Sequence, residues 1–183
     1  TSCIPISFLY GLDTVMEMMD DEKMGKYVEQ LVYEEIIPSM DYPEDMLKSF
    51  AKDVLERFRN PYIKHYLLSI LLNSTSKFKA RVLPSLLQYA NQKGELPTKI
   101  VLSLACLLWV YRDGVVEGNI FHSSRAKGEF DLQDDDFALD ILNGAWRTHG
   151  NNTLEFAKAA LRAEKIWGMD LNEVPSLTEK VAE

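Results

Sequence analysis

Apolar positions along this chain recur at three- and four-residue spacing almost throughout, the signature of amphipathic helices. In "DEKMGKYVEQLVYEEII" (21–37), Met24, Tyr27, Val28, Leu31, Val32 and Ile36 form one stripe, with Asp20 as candidate cap and Pro38 just past the end. Pro43 stands where a first turn tolerates proline and opens a helix to Phe58, with Glu44 and Asp45 at the positive end of its dipole. Asn60-Pro61 ends that helix, because proline disfavours helical geometry in the residue before it. A short apolar helix resumes in "YIKHYLLSILL" (62–72). Another runs from Ser74 or Thr75 to Gln92, with Pro84 as a kink and Gly94 as its stop.

Pro97 opens the most apolar helix, which reaches Arg112 and is stopped by Gly114. Residues 114–133 are punctuated by glycine, carry scattered charge and show no clear period, so they predict a loop or a marginal hairpin. Asp134–Asp136 cap a helix to Arg147, "HGNN" turns the chain, and Thr153 caps "LEFAKAALRAEKIW", closed by Gly168. The tail adds a last short helix. The predicted fold class is all-α, with eight to ten helices.

At 183 residues, 46% of them apolar and 26% charged, the chain is long enough for one domain with a sizeable core. Its longest apolar run, "IVLSLACLLWVY" (100–111), is short for a membrane span and reads as a buried core helix. Cys3 and Cys106 each lie in apolar sequence and read as free thiols in a reducing compartment. The start, "TSCIPISFLYGL", has no initiator Met and no basic region ahead of a cleavage site. It is expected of a piece of a longer chain, with an apolar area around residues 1–12 left for another domain to cover.

Charge changes the picture. The formal net charge is −8, which argues against general nucleic-acid binding. Yet residues 57–93 carry seven cations (Arg57, Arg59, Lys64, Lys77, Lys79, Arg81 and Lys93), one histidine and no acid. The remaining 13 Lys/Arg face 28 Asp/Glu. On a helical wheel Phe78, Val82, Leu83, Leu86 and Leu87 share a face, Lys77 and Arg81 point the opposite way, and Lys79 falls inside the apolar face, where its ammonium must snorkel out. A cation pair of this kind is most often a solvated face. Here like charges four apart repel with no acid within a turn, an arrangement that an anion docked between them would relieve. Arg57, Asn60 and Lys64, at i, i+3 and i+7, form a candidate second basic ridge.

Other chemistry is thinner. His65, His122 and His149 have no cysteine or carboxylate at metal-ligand spacing beside them, and the acidic run at 134–136 reads as a helix start rather than a metal cluster. The chain contains no GxGxxG, GxxxxGK[ST] or GxSxG.

"ERFRNP" (56–61) has the form Arg-Phe-x-Asn-Pro, and "KFKARVLP" (77–84) the form Lys-x-x-x-Arg-x-Leu. Together with "SFLYGLDTVMEMMDDEKMGKYVEQLVYEEIIPSMDYP" (7–43), they make the chain resemble the C-terminal half of the long-chain mannitol dehydrogenase family of polyol and hexuronate dehydrogenases. The hexuronate reductases are the nearest branch; the resemblance is densest over 7–112 and collinear beyond.

The resemblance implies a two-domain enzyme. An N-terminal Rossmann-like domain holds NAD, and an all-helical domain, as in mannitol dehydrogenase and 6-phosphogluconate dehydrogenase-like enzymes, closes over the substrate. It implies that the catalytic motif, Lys-x-x-x-x-Asn-x-x-His, ends directly before the position matching Thr1. Catalytic and cofactor-binding residues are then expected outside this chain, and no metal is expected. On that reading Lys77 and Arg81 bind the substrate's polar groups, with Arg57, Asn60, Lys64 and His65 as further substrate-binding residues. Arginine suits a carboxylate because its planar fork bonds both oxygens. The implied partners are a small anionic sugar acid and the protein's own Rossmann domain, not nucleic acid or membrane. The implied setting is cytoplasmic hexuronate catabolism, interconverting tagaturonate and altronate. Fructuronate reduction and polyol oxidation are the alternatives inside the family. A freestanding helical module whose basic segment docks an acidic partner is the alternative outside it.

Overall fold

The computed structural model describes residues 1–60 and 62–183. Helix α1 (Ile4–Tyr10) is closed by Gly11 in left-handed geometry (φ 104°) and packs on α5 (Leu67–Leu71) and α8 (Thr98–Val110). The first twelve residues are therefore not the uncovered apolar area expected of them: Cys3, Ile4 and Phe8 are core residues. Of the first twelve residues only Tyr10 is an exposed large apolar side chain, and more of them lie elsewhere, at Tyr42, Met46 and Phe50 and at Tyr62, Ile63 and Tyr66. Helix α2 (Val15–Asp20) opens on a capping box between Thr14 and Glu17. Asp21, rather than the neighbouring Asp20, caps α3 (Glu22–Gln30), accepting from the Lys23 and Met24 amides.

The helix predicted over 21–37 is α-helical only to Gln30. It widens into a π-helical turn (Leu31–Ile36) and ends in a 3₁₀ turn (Ile37–Ser39). Widened turns of this kind mark functional or strained places in helices. Here the segment brings Glu35, on the apolar stripe seven residues after Val28, into the interior at 4% exposure. Its carboxylate accepts the Lys99 and Ile100 amides, both at 2.8 Å, and the Thr98 hydroxyl at 3.2 Å. That caps the start of α8, the helix read from "IVLSLACLLWVY", whose Ile100, Val101, Leu104, Leu107 and Leu108 are buried at the centre of the molecule.

Helix α4 (Glu44–Phe58) starts after Pro43 as expected. Pro61, read as its breaker, lies outside the described residues. The apolar helix read from 62–72 is helical only over Leu67–Leu71, with Tyr66 in an isolated antiparallel bridge to Thr14. The single helix expected from Ser74 to Gln92 is two: α6 (Ser74–Arg81) and α7 (Leu83–Lys93). Pro84 has no N–H for the Ala80 carbonyl and its ring crowds that turn, so the helix restarts instead of kinking.

Residues 114–133 form an antiparallel meander, β1 (Val115–Glu117), β2 (Ile120–Arg125) and β3 (Gly128–Gln133). The loop or marginal hairpin is thus a three-stranded sheet in an otherwise helical molecule. Its inward side chains, Phe121, Phe130 and Leu132, are too few and too irregularly spaced for the period-two pattern to stand out. Gly114 leads in because a Cβ there would overlap the Phe121 ring. Arg125, at the end of β2, stacks over the Phe8 ring (3.9 Å to its centroid) and donates to the Phe8 and Leu12 carbonyls at 2.7 and 2.9 Å.

Helix α9 (Asp136–His149) follows, then α10 (Thr153–Leu161), capped by Asn152 rather than Thr153. The remaining helices are α11 (Glu164–Trp167), closed by Gly168, and α12 (Leu177–Ala182), which packs on α8 and α10. Among the described residues no helix is long and apolar enough to cross a membrane. Both cysteines are free thiols, and burial pushes that of Cys106 up to about 11.

Asp134, 2% exposed, closes the β3–α9 corner. It accepts from the Thr75 amide (3.2 Å) and hydroxyl (2.9 Å), the Asp135 amide (2.8 Å) and the Tyr111 hydroxyl. Asp134→Ala strands those donors in a dry site. We expect it to destabilise the fold by on the order of 3–5 kcal/mol, lowering the melting midpoint by roughly 6–20 °C. Glu44→Ala, on a fully exposed first turn, should leave the midpoint nearly unmoved. Circular-dichroism melts of both variants check this; equal midpoints for the two would remove Asp134 from its structural role.

Candidate functional site

Three features aim α6. The start of the helix is held by Asp134, the chain enters it through Asn73 in left-handed geometry (φ 51°), and the Asn73 amide donates to the Gln133 carbonyl at 2.9 Å. Phe78, Val82, Leu83 and Leu86 are buried, as the helical wheel requires, and Leu87 is half-buried. Lys79 is exposed, with its stem against Gly168: a Cβ on that glycine would stand 3.1 Å from the Lys79 Cε. Its head reaches water along a packed stem, the snorkelling geometry expected of it.

Lys77 and Arg81 lie on the other side of α6. Lys77 is half-buried, and its Nζ donates to the Ile70 carbonyl at 3.0 Å, closing the α5–α6 junction. Arg81 is exposed in the last turn, where a cation complements the negative end of the helix dipole. Burial first, then the Arg81 charge, lowers the Lys77 pKa, and the buried Asp134 carboxylate opposes them. The two cations are thus close enough to disfavour one another. Among the described residues no carboxylate lies within ion-pair distance of Lys64, Lys77, Lys79 or Arg81.

The other sequence candidates fall on two further elements. Arg57 and Asn60 line an open groove of about 730 Å³ at the end of α4, with Phe50, Asp53 and Glu56. Arg57 Nε donates to the Asp53 carbonyl at 3.3 Å, and Asn60 Oδ1 accepts the Tyr62 amide at 3.0 Å. Arg59, next to them, is neutralised by Glu29 at 2.9 Å. The groove lining includes neither Lys77 nor Arg81, and its two carboxylates make it less anion-seeking than the α6 cations. Lys64 and His65 are exposed on the segment that leads into α5. That segment is fixed by backbone pairing: the Val15 amide donates to the His65 carbonyl at 2.9 Å, and the Leu67 amide to the Asp13 carbonyl at 2.8 Å.

The candidates therefore occupy α6, the end of α4 and the 62–66 segment between them in sequence. Lys77 and Arg81 are close enough to hold an anion between them, while Arg57, Asn60, Lys64 and His65 offer guanidinium, amide, ammonium and imidazole groups for hydroxyls. Sequence reasoning missed the two buried carboxylates that start helices from a distance, Asp134 at α6 and Glu35 at α8. Glu35 could have been found as an acid on an apolar stripe. Asp134 was read as a cap for the helix after it, and its actual helix starts sixty residues earlier, where no local signal points to it.

The mannitol dehydrogenase C-terminal domain family model matches residues 1–183. The chain is 43% identical over 187 residues to the altronate oxidoreductase of Pectobacterium carotovorum, and 40% identical over 182 residues to that of Bacillus subtilis. Each match covers 100% of this chain, but only 37% and 34% of those relatives, so the chain spans about a third of their length. Among solved structures, Pseudomonas fluorescens mannitol 2-dehydrogenase, in ternary complex with NAD and D-mannitol, superposes with a TM-score of 0.79 at 17% identity. That superposition covers 99% of this chain and 34% of the dehydrogenase. A substrate-free D-sorbitol dehydrogenase superposes at 0.71 with 18% identity, over 98% of this chain and 34% of its own. At these identities the structures speak to the fold, and the family model with the altronate oxidoreductases speaks to descent: the chain belongs to the mannitol dehydrogenase C-terminal domain family.

Proposed function

We propose that the full-length protein containing this chain interconverts tagaturonate and altronate with NAD, and that this domain forms the wall that binds the sugar acid. The observation that carries the reading is identity of 40–43% to altronate oxidoreductases along the whole chain. NAD supplies and accepts the hydride when bound, and we assign it to a Rossmann-like domain ahead of this chain. This chain's own GxGxxG-free sequence has no glycine-rich turn to cradle a pyrophosphate, so none of its residues is given to the cofactor.

Arg81 grips the uronate carboxylate through both oxygens, and Lys77, pre-stressed by burial and by Arg81, gains an anionic neighbour. Arg57, Asn60, Lys64 and His65 meet the hydroxyls along the carbon chain. Fixing the substrate in this way orients its carbonyl for hydride transfer and excludes water from the reacting atoms. The protein works in the cytoplasm, and no metal enters the reaction.

Two outcomes test this. In the full-length enzyme Arg81→Ala should lower kcat/KM for tagaturonate roughly 30- to 1000-fold, about 2–4 kcal/mol, with Arg81→Lys recovering part. Turnover of the neutral ketose tagatose should barely change. Equal losses on both substrates, or a melting midpoint many degrees lower, would make Arg81 a structural cation. Steady-state assays with fructuronate and mannitol alongside decide between this reading and the neighbouring activities. The second outcome concerns Lys77, whose folded pKa lies below its ordinary value. Arg81→Gln removes one of the two depressing influences, so the Lys77 pKa should rise yet stay under the usual lysine range, because burial remains. An NMR pH titration of the lysine side chains reads this, and an unmoved Lys77 would separate the two cations.

A further inference from the structure

Arg125 joins three parts of the molecule. Its guanidinium donates to the Phe8 and Leu12 carbonyls at the end of α1 and to the Asp13 carboxylate, while its plane covers the Phe8 ring. Lys127 Nζ takes the second Asp13 oxygen at 2.8 Å. Lys127 first, then Arg125, hold the Asp13 carboxyl below the usual carboxylate range, so this ionic grip stays closed at any neutral pH. The Arg125 side chain is 12% exposed, and with Asp13, Tyr66 and Lys127 it lines a cleft of about 540 Å³ between the sheet and α5.

Asp13 has a second task. Its backbone carbonyl accepts the Leu67 amide at 2.8 Å, and two residues on the Val15 amide donates to the His65 carbonyl at 2.9 Å. Thr14 and Tyr66 are the paired residues of this bridge. Fixing the carbonyl of residue 65 and the amide of residue 67 fixes the peptide planes on either side of Tyr66. The Cα of His65 lies in the first of these planes, so the bridge anchors the 62–66 segment at its end and places His65, with Lys64 one residue further out.

We infer that Arg125 is a positioning residue for substrate binding: by gripping Asp13 it locks the 13–15 bridge to 65–67, and so anchors the segment that carries Lys64 and His65 to the sugar acid. This rests on the reading above that Lys64 and His65 belong to the substrate wall. Arg125 itself touches no substrate.

The test uses the full-length enzyme with tagaturonate and NADH. Arg125→Gln should raise KM for tagaturonate about five- to twentyfold while kcat and the KM for NADH change less than about threefold, because the anchor of the binding segment is lost but the reacting groups are not. Amide exchange at Val15 and Leu67 should quicken in the same variant. Arg125→Lys, which keeps the charge and loses the fork, should fall between. Should Arg125→Gln fail to fold, Asp13→Asn keeps the backbone carbonyl that holds Leu67 and releases only the grip, with the same effects expected. Quickened exchange or a lower melting midpoint with an unchanged KM overturns the inference and makes the grip purely structural. Lys64→Ala and His65→Ala separate the two readings. If either raises KM while the Arg125 and Asp13 variants do not, positioning fails and the substrate wall stands. If neither raises KM, the wall assignment fails and the inference falls with it.

Discussion

A buried carboxylate must be given enough donors to replace its water, and Asp134 obtains them from two elements remote in sequence and from the residue next to it. The Thr75 amide and hydroxyl come from the first turn of α6, the Tyr111 hydroxyl from the end of α8, and the Asp135 amide from the corner into α9. Hydrogen bonds to a charged group are worth about 1.5–3 kcal/mol each, and the partial positive charge at the start of α6 adds to them. The charge also forces Tyr111 to remain a donor: burial first, and then Asp134 itself, keeps the phenol protonated far above its usual range. Removing any one of these partners leaves the others facing an unmatched buried group, so the corner holds as a unit.

Glu35 repeats the device on the other side of the core. A side chain from the π-helical turn accepts the first amides of α8, and Tyr27 next to it donates to the Lys99 carbonyl and accepts from the Ser103 hydroxyl. The central helix and the basic helix therefore each begin on a buried acid supplied by a distant segment. Cations take on roles set by the acceptors around them. Lys77 feels Asp134 through the interior while facing Arg81 across the surface, which leaves it half-buried and short of negative partners. Arg125, away from both acids, has two carbonyls and the Asp13 carboxylate as acceptors and serves as a clamp. The same residue class thus supplies both the poised charge of the candidate site and the strut behind it, according to whether the fold provides acceptors.

Much of this fold is written in local pattern. The apolar stripe through Met24, Val28 and Leu31, the run at 100–111, Pro43 ahead of α4, and Gly94 and Gly168 past α7 and α11 each follow from periodicity and backbone stereochemistry. The segregation of seven cations into 57–93, and the forms around Arg57 and Lys77, likewise made the candidate site visible before any coordinate. Proline effects were legible in place but not in kind: Pro84 reads as a kink from sequence, and in the fold α6 ends before it and α7 restarts, each helix packed on a different neighbour, α11 and the 3₁₀ turn.

The sequence by itself determined a mostly helical domain with an amphipathic basic helix, because helix formation, capping and burial of one face depend on residues within a turn or two of each other. Only the tertiary structure decided which acid caps which helix, that the glycine-punctuated stretch pairs into a sheet, and that Cys3, Ile4 and Phe8 are core rather than surface. Those outcomes rest on contacts between residues tens to more than a hundred positions apart, such as Thr75 with Asp134 and Phe8 with Arg125. A hydrogen bond at such separation has no period to read. It forms because a buried charge, or a helix end, accepts whichever partner the packing of the rest brings within reach.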